Sequence, residues 1–178
     1  MKLTLVRHAE VEEAYKGKYN GHIDIGLSPR GYEQAKELAL KLQDKKFDAI
    51  YCSDLLRAKE TLKAFHLSQE VIYTKKLREK SWGKHEGKSF EEIEKSGIKY
   101  ENFEQWIEAL DGEKVDDFRE RIRSIFYEDI VKSSAKNILV VTHSGVIKMF
   151  MSLYEHISLE EAFSQKLDYT EYLDLVLI

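Results

Sequence analysis

The sequence contains 178 residues, of which 43% are apolar and 34% are charged, and this composition is typical of one soluble globular domain. Its 28 basic and 32 acidic residues give a formal net charge of -4, so no overall positive field attracts nucleic acid or an anionic membrane surface. Cys52 is the only cysteine, which excludes an internal disulfide and a multi-cysteine metal site. Because no apolar run reaches the length that spans a membrane, we expect a single-domain cytoplasmic protein over residues 1–178.

Four short apolar runs, rich in β-branched residues, predict buried strands. They are LTLV at residues 3–6, AIYC at 49–52, VIYT at 71–74 and ILVVT at 138–142. The runs show little alternation of apolar and polar residues, as expected for strands that are covered on both faces. A fifth run, EYLDLVLI at 171–178, predicts a closing strand.

Helical patterns separate the predicted strands. Ser28 and Pro29 predict a helix start, and apolar residues then recur on one face as far as Leu42. Residues 54–65 and 144–154 predict two further helices. The alternation of strands and helices predicts a three-layer α/β/α sandwich with a largely parallel central sheet.

Residues from about 84 to 134 depart from this alternation. They contain no strand pattern, carry the aromatic residues Tyr100 and Trp106, and end in a charged amphipathic helix at about 115–131. Ligands of open α/β sheets bind beyond the carboxyl ends of the strands. We expect the segment at 84–134 to form a helical excursion over that end of the sheet.

Polar side chains follow each of the first four predicted strands. In chain order they are Arg7 and His8, Arg57, Glu79, and His143 with Ser144. Taken singly, each group is an ordinary surface, capping or loop feature. Because the carboxyl ends of parallel strands meet at one edge of a sheet, we expect these groups to lie close together.

This set of groups suits the chemistry of a phosphate ester. Arginine binds two phosphate oxygens at once, and a helix start offers free N–H groups to an anion. A neutral histidine can attack phosphorus, and a carboxyl group with a raised pKa can protonate the departing oxygen. The combination predicts phosphoryl transfer through a phosphohistidine. A metal site is the weaker alternative, because the six histidines include no HExxH or HxH spacing and the two arginines would repel a cation.

Six segments of the chain, in order, resemble the histidine phosphatase (phosphoglycerate mutase-like) superfamily. They are LVRHAE, GKYNGHIDIGLSPRGYEQA, IYCSDLLRAKET, LREKSWGKHEG, DGEKVDDFRERI and VVTHSGVI. The resemblance covers nearly the whole chain. It implies a phosphoglycerate mutase-like α/β/α sandwich, no metal or other cofactor, and a histidine that is transiently phosphorylated.

The resemblance also implies a role for individual residues. His8 would be the nucleophile, and Arg7 would bind the phosphoryl group. Arg57 and His143 would complete the phosphate pocket, assisted by the N–H of Ser144.

Glu79 would donate a proton to the leaving group and then activate water, while Gly21 and His22 would line the substrate entrance. Four positions depart from the family pattern, namely Ala9, Ala14, Lys114 and Ser144. Among these, Ala14 stands where many members have an asparagine that contacts phosphate or substrate, and Lys114 is expected to add positive charge near the pocket mouth.

The resemblance favours a phosphomonoesterase over other activities of the family. A mutase would carry a longer insertion after the glutamate, and a protein phosphohistidine phosphatase would lack the LRE…WG…EG block. Small phosphatases for α-ribazole-5'-phosphate match best, with broad-specificity sugar or metabolite phosphatases as the alternative. A non-catalytic phosphate-binding protein is the remaining possibility from another class. The expected partner is a small-molecule phosphate ester, with a homodimer left open and neither nucleic acid nor membrane expected.

Substrate choice would depend on aromatic and basic residues around the pocket, each of which also has a purely structural interpretation. The candidates are Lys16, Tyr19, His22, Lys84, His85, Tyr100 and Trp106.

Overall fold

The computed structural model describes residues 1–177. Its strands lie, in chain order, at Lys2–Arg7 (β1), Lys18–Tyr19 (β2), Ala49–Ser53 (β3), Val71–Thr74 (β4), Lys88–Ser89 (β5), Asn137–Thr142 (β6) and Tyr172–Val176 (β7). All five predicted strands are present. The last predicted residue of the closing strand, Ile178, lies outside the described residues.

The helices fill the intervals between the strands. They lie at Pro29–Lys41 (α1), Leu56–Lys63 (α2), Phe90–Glu94 (α3), Phe103–Ala109 (α4), Val115–Ser124 (α5), Ser144–Glu155 (α6) and Leu159–Ser164 (α7). Helix α1 begins as its sequence predicts, because the Ser28 hydroxyl accepts the Gly31 N–H at 3.0 Å and Pro29 is the first helical residue. Within residues 1–177, no helix has both the length and the apolar character needed to cross a bilayer.

The central sheet has five strands in the order β4-β3-β6-β1-β7. Every neighbouring pair is parallel except β1 and β7, which are antiparallel, so the prediction of a largely parallel sheet is confirmed. Strand β4 differs from the expectation that the strands are covered on both faces. It forms one edge of the sheet, and its Ile72 and Tyr73 side chains are 45% and 50% exposed.

Helices cover the two faces of the sheet and define the three predicted layers. On one face, Leu5 and Val140 pack with Phe118 of α5 and Phe150 of α6. On the other face, residues of β3, β6 and the end of β1 pack with α1 and α2. These residues are Val6, Ile50, Leu139 and Val141 from the strands, and Leu38, Ala58 and Leu62 from the helices.

The segment at 84–134 has three features that its sequence did not predict. Helix α5 belongs to a layer of the sandwich, and its Phe118 and Ile122 are buried in the core rather than lying over the end of the sheet. Strand β5 pairs with β2 in a separate two-stranded sheet. The predicted helix at 115–131 changes to a π-helix over Ile125–Ile130. Two-residue strands are too short to show a sequence period, which explains why β2 and β5 were missed.

Candidate active site

The carboxyl edge of the sheet holds a cavity of about 420 Å³ that is lined by residues from six separate segments. Seven of the residues proposed from sequence line it, namely Arg7, His8, Tyr19, Gly21, Arg57, Glu79 and Ser144. Arg7 ends β1, and the β1–β6 register pairs it with Thr142 at the end of β6. His143 follows at once, and its ring lies 5.1 Å from the His8 ring, centroid to centroid.

His8 has the tautomer and charge that a nucleophile needs. Its Nδ1 lies 2.8 Å from the carbonyl oxygen of Ala9, which can only accept a hydrogen bond, so Nδ1 carries the proton and Nε2 keeps its lone pair. Burial, followed by the positive charges of Arg57 and Arg7, lowers the pKa of His8 well below its ordinary value. The imidazole is therefore neutral at physiological pH.

Ala9, one of the departures from the family pattern, fits this arrangement. Its side chain is fully buried with Leu27 and Ala35, and its N–H donates to the Thr61 hydroxyl at 2.9 Å. Ala9 is not among the residues with positive φ, so its backbone conformation does not call for glycine.

His143 lies behind His8 and is completely buried. Its Nε2 lies 2.8 Å from the Ser53 hydroxyl at the end of β3, while its Nδ1 has no hydrogen-bond partner among residues 1–177. Burial, and then the charge of Arg57, lowers the pKa of His143 well below its ordinary value. One nitrogen of a neutral ring thus stays available beside His8.

Arg57 is 2% exposed although it belongs to the first turn of a helix. Its two terminal nitrogens donate to the carbonyls of Ile23 at 2.8 Å and Gly21 at 2.7 Å. Burial lowers its pKa to about 10, which still leaves it charged at neutral pH. Gly21 has a φ of +50°, and a Cβ there would collide with Glu86, so glycine is required at this turn.

Arg7 is held by the turn that precedes β7. Its Nη1 donates to the Leu167 carbonyl at 2.5 Å, and its guanidinium carbon lies 4.2 Å from the centre of the Tyr169 ring. Its Nε is buried without a hydrogen-bond partner among residues 1–177, and burial lowers its pKa. The guanidinium is thus oriented before any ligand binds.

Glu79 approaches the start of helix α6 closely. Its Oε2 accepts the Gly145 N–H at 2.9 Å, and its Oε1 accepts the Lys80 N–H at 2.9 Å. A Cβ at Gly145 would collide with the carboxyl group, so the glycine after Ser144 makes this approach possible. The carboxyl group is therefore fixed at the wall of the cavity that the two arginines also line.

Sequence reasoning missed several residues of the cavity wall. These are Lys18, Asn20, Trp82 and Tyr169. Tyr169 carries no local signal, because it reaches the site only through the antiparallel pairing of β7 with β1. Lys18 and Asn20 lie next to the recognised Gly21 in the chain, and that proximity is the signal that would have found them.

Some residues proposed as substrate contacts lie elsewhere. His22 does not line the cavity; its Nε2 lies 2.8 Å from the backbone carbonyl of Glu79, behind the carboxyl group. Trp106 is a core residue, 3% exposed, and its indole N–H donates to the hydroxyl of Tyr19, which does line the cavity. Lys16 forms ion pairs with Glu10 and Glu13.

The remaining candidates and departures also lie outside the cavity lining. They are Ala14, Lys84, His85, Tyr100 and Lys114. His85 is buried and accepts the Asp111 N–H at 3.0 Å. Lys114 precedes the first turn of α5 as an exposed residue.

The cavity is electropositive in a chain of negative net charge. Arg7, Lys18 and Arg57 line it together with a single carboxylate, Glu79. Residues 1–177 contain no group of three or more His, Cys, Asp and Glu side chains arranged to hold a metal ion. The site is therefore suited to an anionic ligand bound by arginine and backbone N–H groups.

Comparison with known proteins agrees with the fold. A sequence profile of the histidine phosphatase superfamily (branch 1) matches residues 3–177. Phosphoserine phosphatase 1 of Hydrogenobacter thermophilus is 35% identical, over 81% of this chain and 71% of its own length. A broad-specificity phosphatase of Saccharomyces cerevisiae is 34% identical, over 85% of this chain and 69% of its own length.

The solved structure of an α-ribazole phosphatase from Shigella flexneri superposes with a TM-score of 0.86 and 26% identity, over 100% of this chain and 91% of that one. The fold and the site are those of a phosphatase. The chain belongs to the histidine phosphatase superfamily, and it is a phosphatase of that class.

The two buried histidines predict that acid destabilises the fold. Below about pH 6.5 the unfolded chain binds protons at His8 and His143, whereas the folded protein excludes them until well below that pH. The free energy of unfolding should be unaffected by these groups above about pH 6.5 and should fall below it, by at most about 1.4 kcal/mol per pH unit for each histidine. Urea unfolding between about pH 7.5 and about pH 5.5 measures this slope.

A His8→Asn variant should show a smaller loss of stability over the same pH range. His156→Asn is the matched control, because His156 is exposed and its left-handed φ of 57° suits asparagine. A His8→Asn protein with the wild-type slope would contradict the assignment of a neutral, buried His8.

Proposed function

We propose that the protein hydrolyses small-molecule phosphomonoesters through a phosphohistidine formed on His8. The observation that carries this proposal is the state of His8. Its ring is neutral, its Nδ1–H is bound to the Ala9 carbonyl, and its Nε2 is free in a cavity shared with two arginines. A fixed lone pair beside fixed positive charges is what attack on a phosphate ester requires.

In the first step, the lone pair of His8 Nε2 forms a bond to phosphorus while the bond from phosphorus to the ester oxygen breaks. Glu79, in its protonated form, donates its proton to the departing oxygen, so the alcohol leaves as a neutral molecule. Arg7 and Arg57 stabilise the charge on the other phosphoryl oxygens. The products of this step are the alcohol, a Glu79 carboxylate and phosphohistidine.

In the second step, the Glu79 carboxylate takes a proton from a water molecule, and the water oxygen attacks phosphorus. The bond from phosphorus to Nε2 breaks, which returns His8 to its neutral form and releases inorganic phosphate. We assign two further donors to the phosphoryl oxygens: Nδ1 of His143, which is buried beside His8 without a partner among residues 1–177, and the N–H of Ser144, which lines the cavity at the start of α6. Gly21 supports Arg57 through its carbonyl and does not itself act on the substrate. The scheme uses only side chains and backbone groups of this chain, with no metal or other cofactor.

For the substrate, we propose α-ribazole-5'-phosphate, with a broader range of sugar and metabolite phosphates as the second candidate. The aromatic residues Tyr19, Trp82 and Tyr169 line the cavity, and aromatic side chains can stack with a flat base. The similarity in fold to an α-ribazole phosphatase supports the first candidate, and the similarity in sequence to a broad-specificity phosphatase supports the second. The homodimer and the cytoplasmic location stay predictions from the sequence.

Replacing the nucleophile tests the reaction directly. His8→Ala should lower kcat/KM for phosphomonoesters by at least about 10³-fold, because His8 is the only histidine among the described residues that line the cavity. Wild-type protein incubated with a labelled ester should also carry an acid-labile phosphoryl label that His8→Ala lacks. His156→Asn, a change of a histidine outside the cavity, is the control. Full activity of His8→Ala would overturn the mechanism.

The acid role of Glu79 predicts a dependence on the leaving group. Glu79→Gln should lose about 10²-fold or more in kcat/KM for an alkyl phosphate, but much less for p-nitrophenyl phosphate, whose leaving group departs without a proton. Equal losses on the two esters would contradict the proton transfer. The exposed Glu33→Gln on helix α1 is the control and should change neither rate.

A hydrolysis panel tests the proposed substrate. Under the proposal, α-ribazole-5'-phosphate should give the highest kcat/KM in a set with phosphoserine, 3-phosphoglycerate, sugar phosphates and a phosphohistidine protein. Similar rates across the small esters would favour the broad-specificity candidate. Isomerisation of 3-phosphoglycerate would indicate a mutase. A preference for the phosphohistidine protein would indicate a protein phosphohistidine phosphatase, and binding without turnover would indicate a phosphate-binding protein.

A further inference from the structure

The segment that carries Glu79 is held by side chains rather than by regular secondary structure. A short 3-10 turn at Lys75–Leu77 is followed by Arg78 in an extended conformation, so neither a helix nor a sheet satisfies the next carbonyls. Arg121 of helix α5 donates hydrogen bonds to these carbonyls instead. Its Nη1 donates to the carbonyls of Lys76 at 2.7 Å and Arg78 at 2.8 Å, and its Nη2 lies 3.4 Å from that of Glu79.

Two further side chains complete the hold on the segment. The Thr142 hydroxyl donates to the carbonyl of Leu77 at 2.7 Å, and Nε2 of His22 lies 2.8 Å from the carbonyl of Glu79. Arg121 is distinct in contacting three carbonyls of the segment from a different layer of the sandwich. The backbone behind the carboxyl group is therefore fixed chiefly by one guanidinium.

Arg121 is itself oriented by Glu113. The carboxylate of Glu113 accepts from Nε and Nη2 of Arg121, both at 2.7 Å, in a two-pronged ion pair. The two side chains are only 18% and 17% exposed, so solvent competes weakly with the pair. The Glu113 N–H also donates to the carbonyl of Ser81, two residues after Glu79.

We propose that Arg121, oriented by Glu113, is a positioning residue that sets the direction of the Glu79 carboxyl group for proton transfer. Neither Arg121 nor Glu113 lines the cavity, so their effect on the reaction passes through the backbone of the 76–79 segment. The inference rests on the proposed function. Proton transfer requires hydrogen-bond distance to the leaving oxygen, and a displacement of about 1 Å can reduce a rate by about 10²-fold.

The test compares two esters on one protein preparation. For each variant, kcat/KM is measured for an alkyl phosphate and for p-nitrophenyl phosphate. The ratio compared between variants is the alkyl phosphate value divided by the p-nitrophenyl phosphate value. The ratio does not depend on the fraction of protein that is folded, so a purely structural loss leaves it unchanged. Arg121→Gln should lower the ratio by about 10-fold, because the acid loses its alignment while the nucleophile and arginines stay in place.

Further variants separate positioning from general damage. Arg121→Lys keeps the positive charge but cannot form the two-pronged hydrogen bonds of a guanidinium. Its ratio should therefore lie between those of Arg121→Gln and the wild type. Glu113→Gln weakens the ion pair that orients Arg121, so it should lower the ratio less than Arg121→Gln does. It also provides the test if the Arg121→Gln protein does not fold. Arg123→Gln is the matched control on the same helix, since Arg123 is exposed and pairs with Glu120, and it should keep the wild-type ratio.

The double variant Glu79→Gln/Arg121→Gln should have the same ratio as the single variant Glu79→Gln, because the proton donor is already absent from both. A wild-type ratio in both Arg121→Gln and Glu113→Gln would overturn the positioning role while leaving the proposed function intact. Failure of the wild-type protein to hydrolyse either ester would overturn the proposed function and this inference together.

Discussion

The pairing of β1 with β6 is the constraint on which the site depends. In this parallel register Arg7 lies opposite Thr142, and the His8 N–H donates to the Thr142 carbonyl at 2.9 Å. Two histidines from distant parts of the chain thereby meet at one point of the sheet edge. Both strands lie inside the sheet with apolar side chains on each face, so a shift of one residue would exchange those faces and is strongly disfavoured.

Burial of charge is the second constraint, and it explains how a protein of net charge -4 holds an anion site. Arg57 is nearly inaccessible to solvent, and two backbone carbonyls replace the water that it loses. Its charge in turn helps to keep His8 and His143 neutral. The same burial that penalises the positive charge strengthens its attraction for a phosphoryl group, because little water remains to screen it.

Much of the fold was predictable because its signals are local. The buried strands are continuous apolar runs, and α1 begins at a serine followed by proline. The errors occurred where the signal was not local. The exposure of β4 follows from its place at the edge of the sheet, and the core position of α5 follows from packing against α6. His22 was expected at the substrate entrance but lies behind Glu79, because the turn at Gly21 directs the following backbone toward Glu86.

The sequence by itself determined the five strands of the central sheet and the residues that follow them, since each is a run of neighbouring residues, and the alternation of strands with helices indicated that the sheet is largely parallel. It therefore indicated Arg7, His8, Arg57, Glu79 and His143 as one group. Only the tertiary structure decided which other side chains join that group. Tyr169 reaches the cavity through the pairing of β7, and Arg121 reaches the backbone beside Glu79 through the packing of α5. Such contacts between distant segments leave no pattern in the residues around either partner.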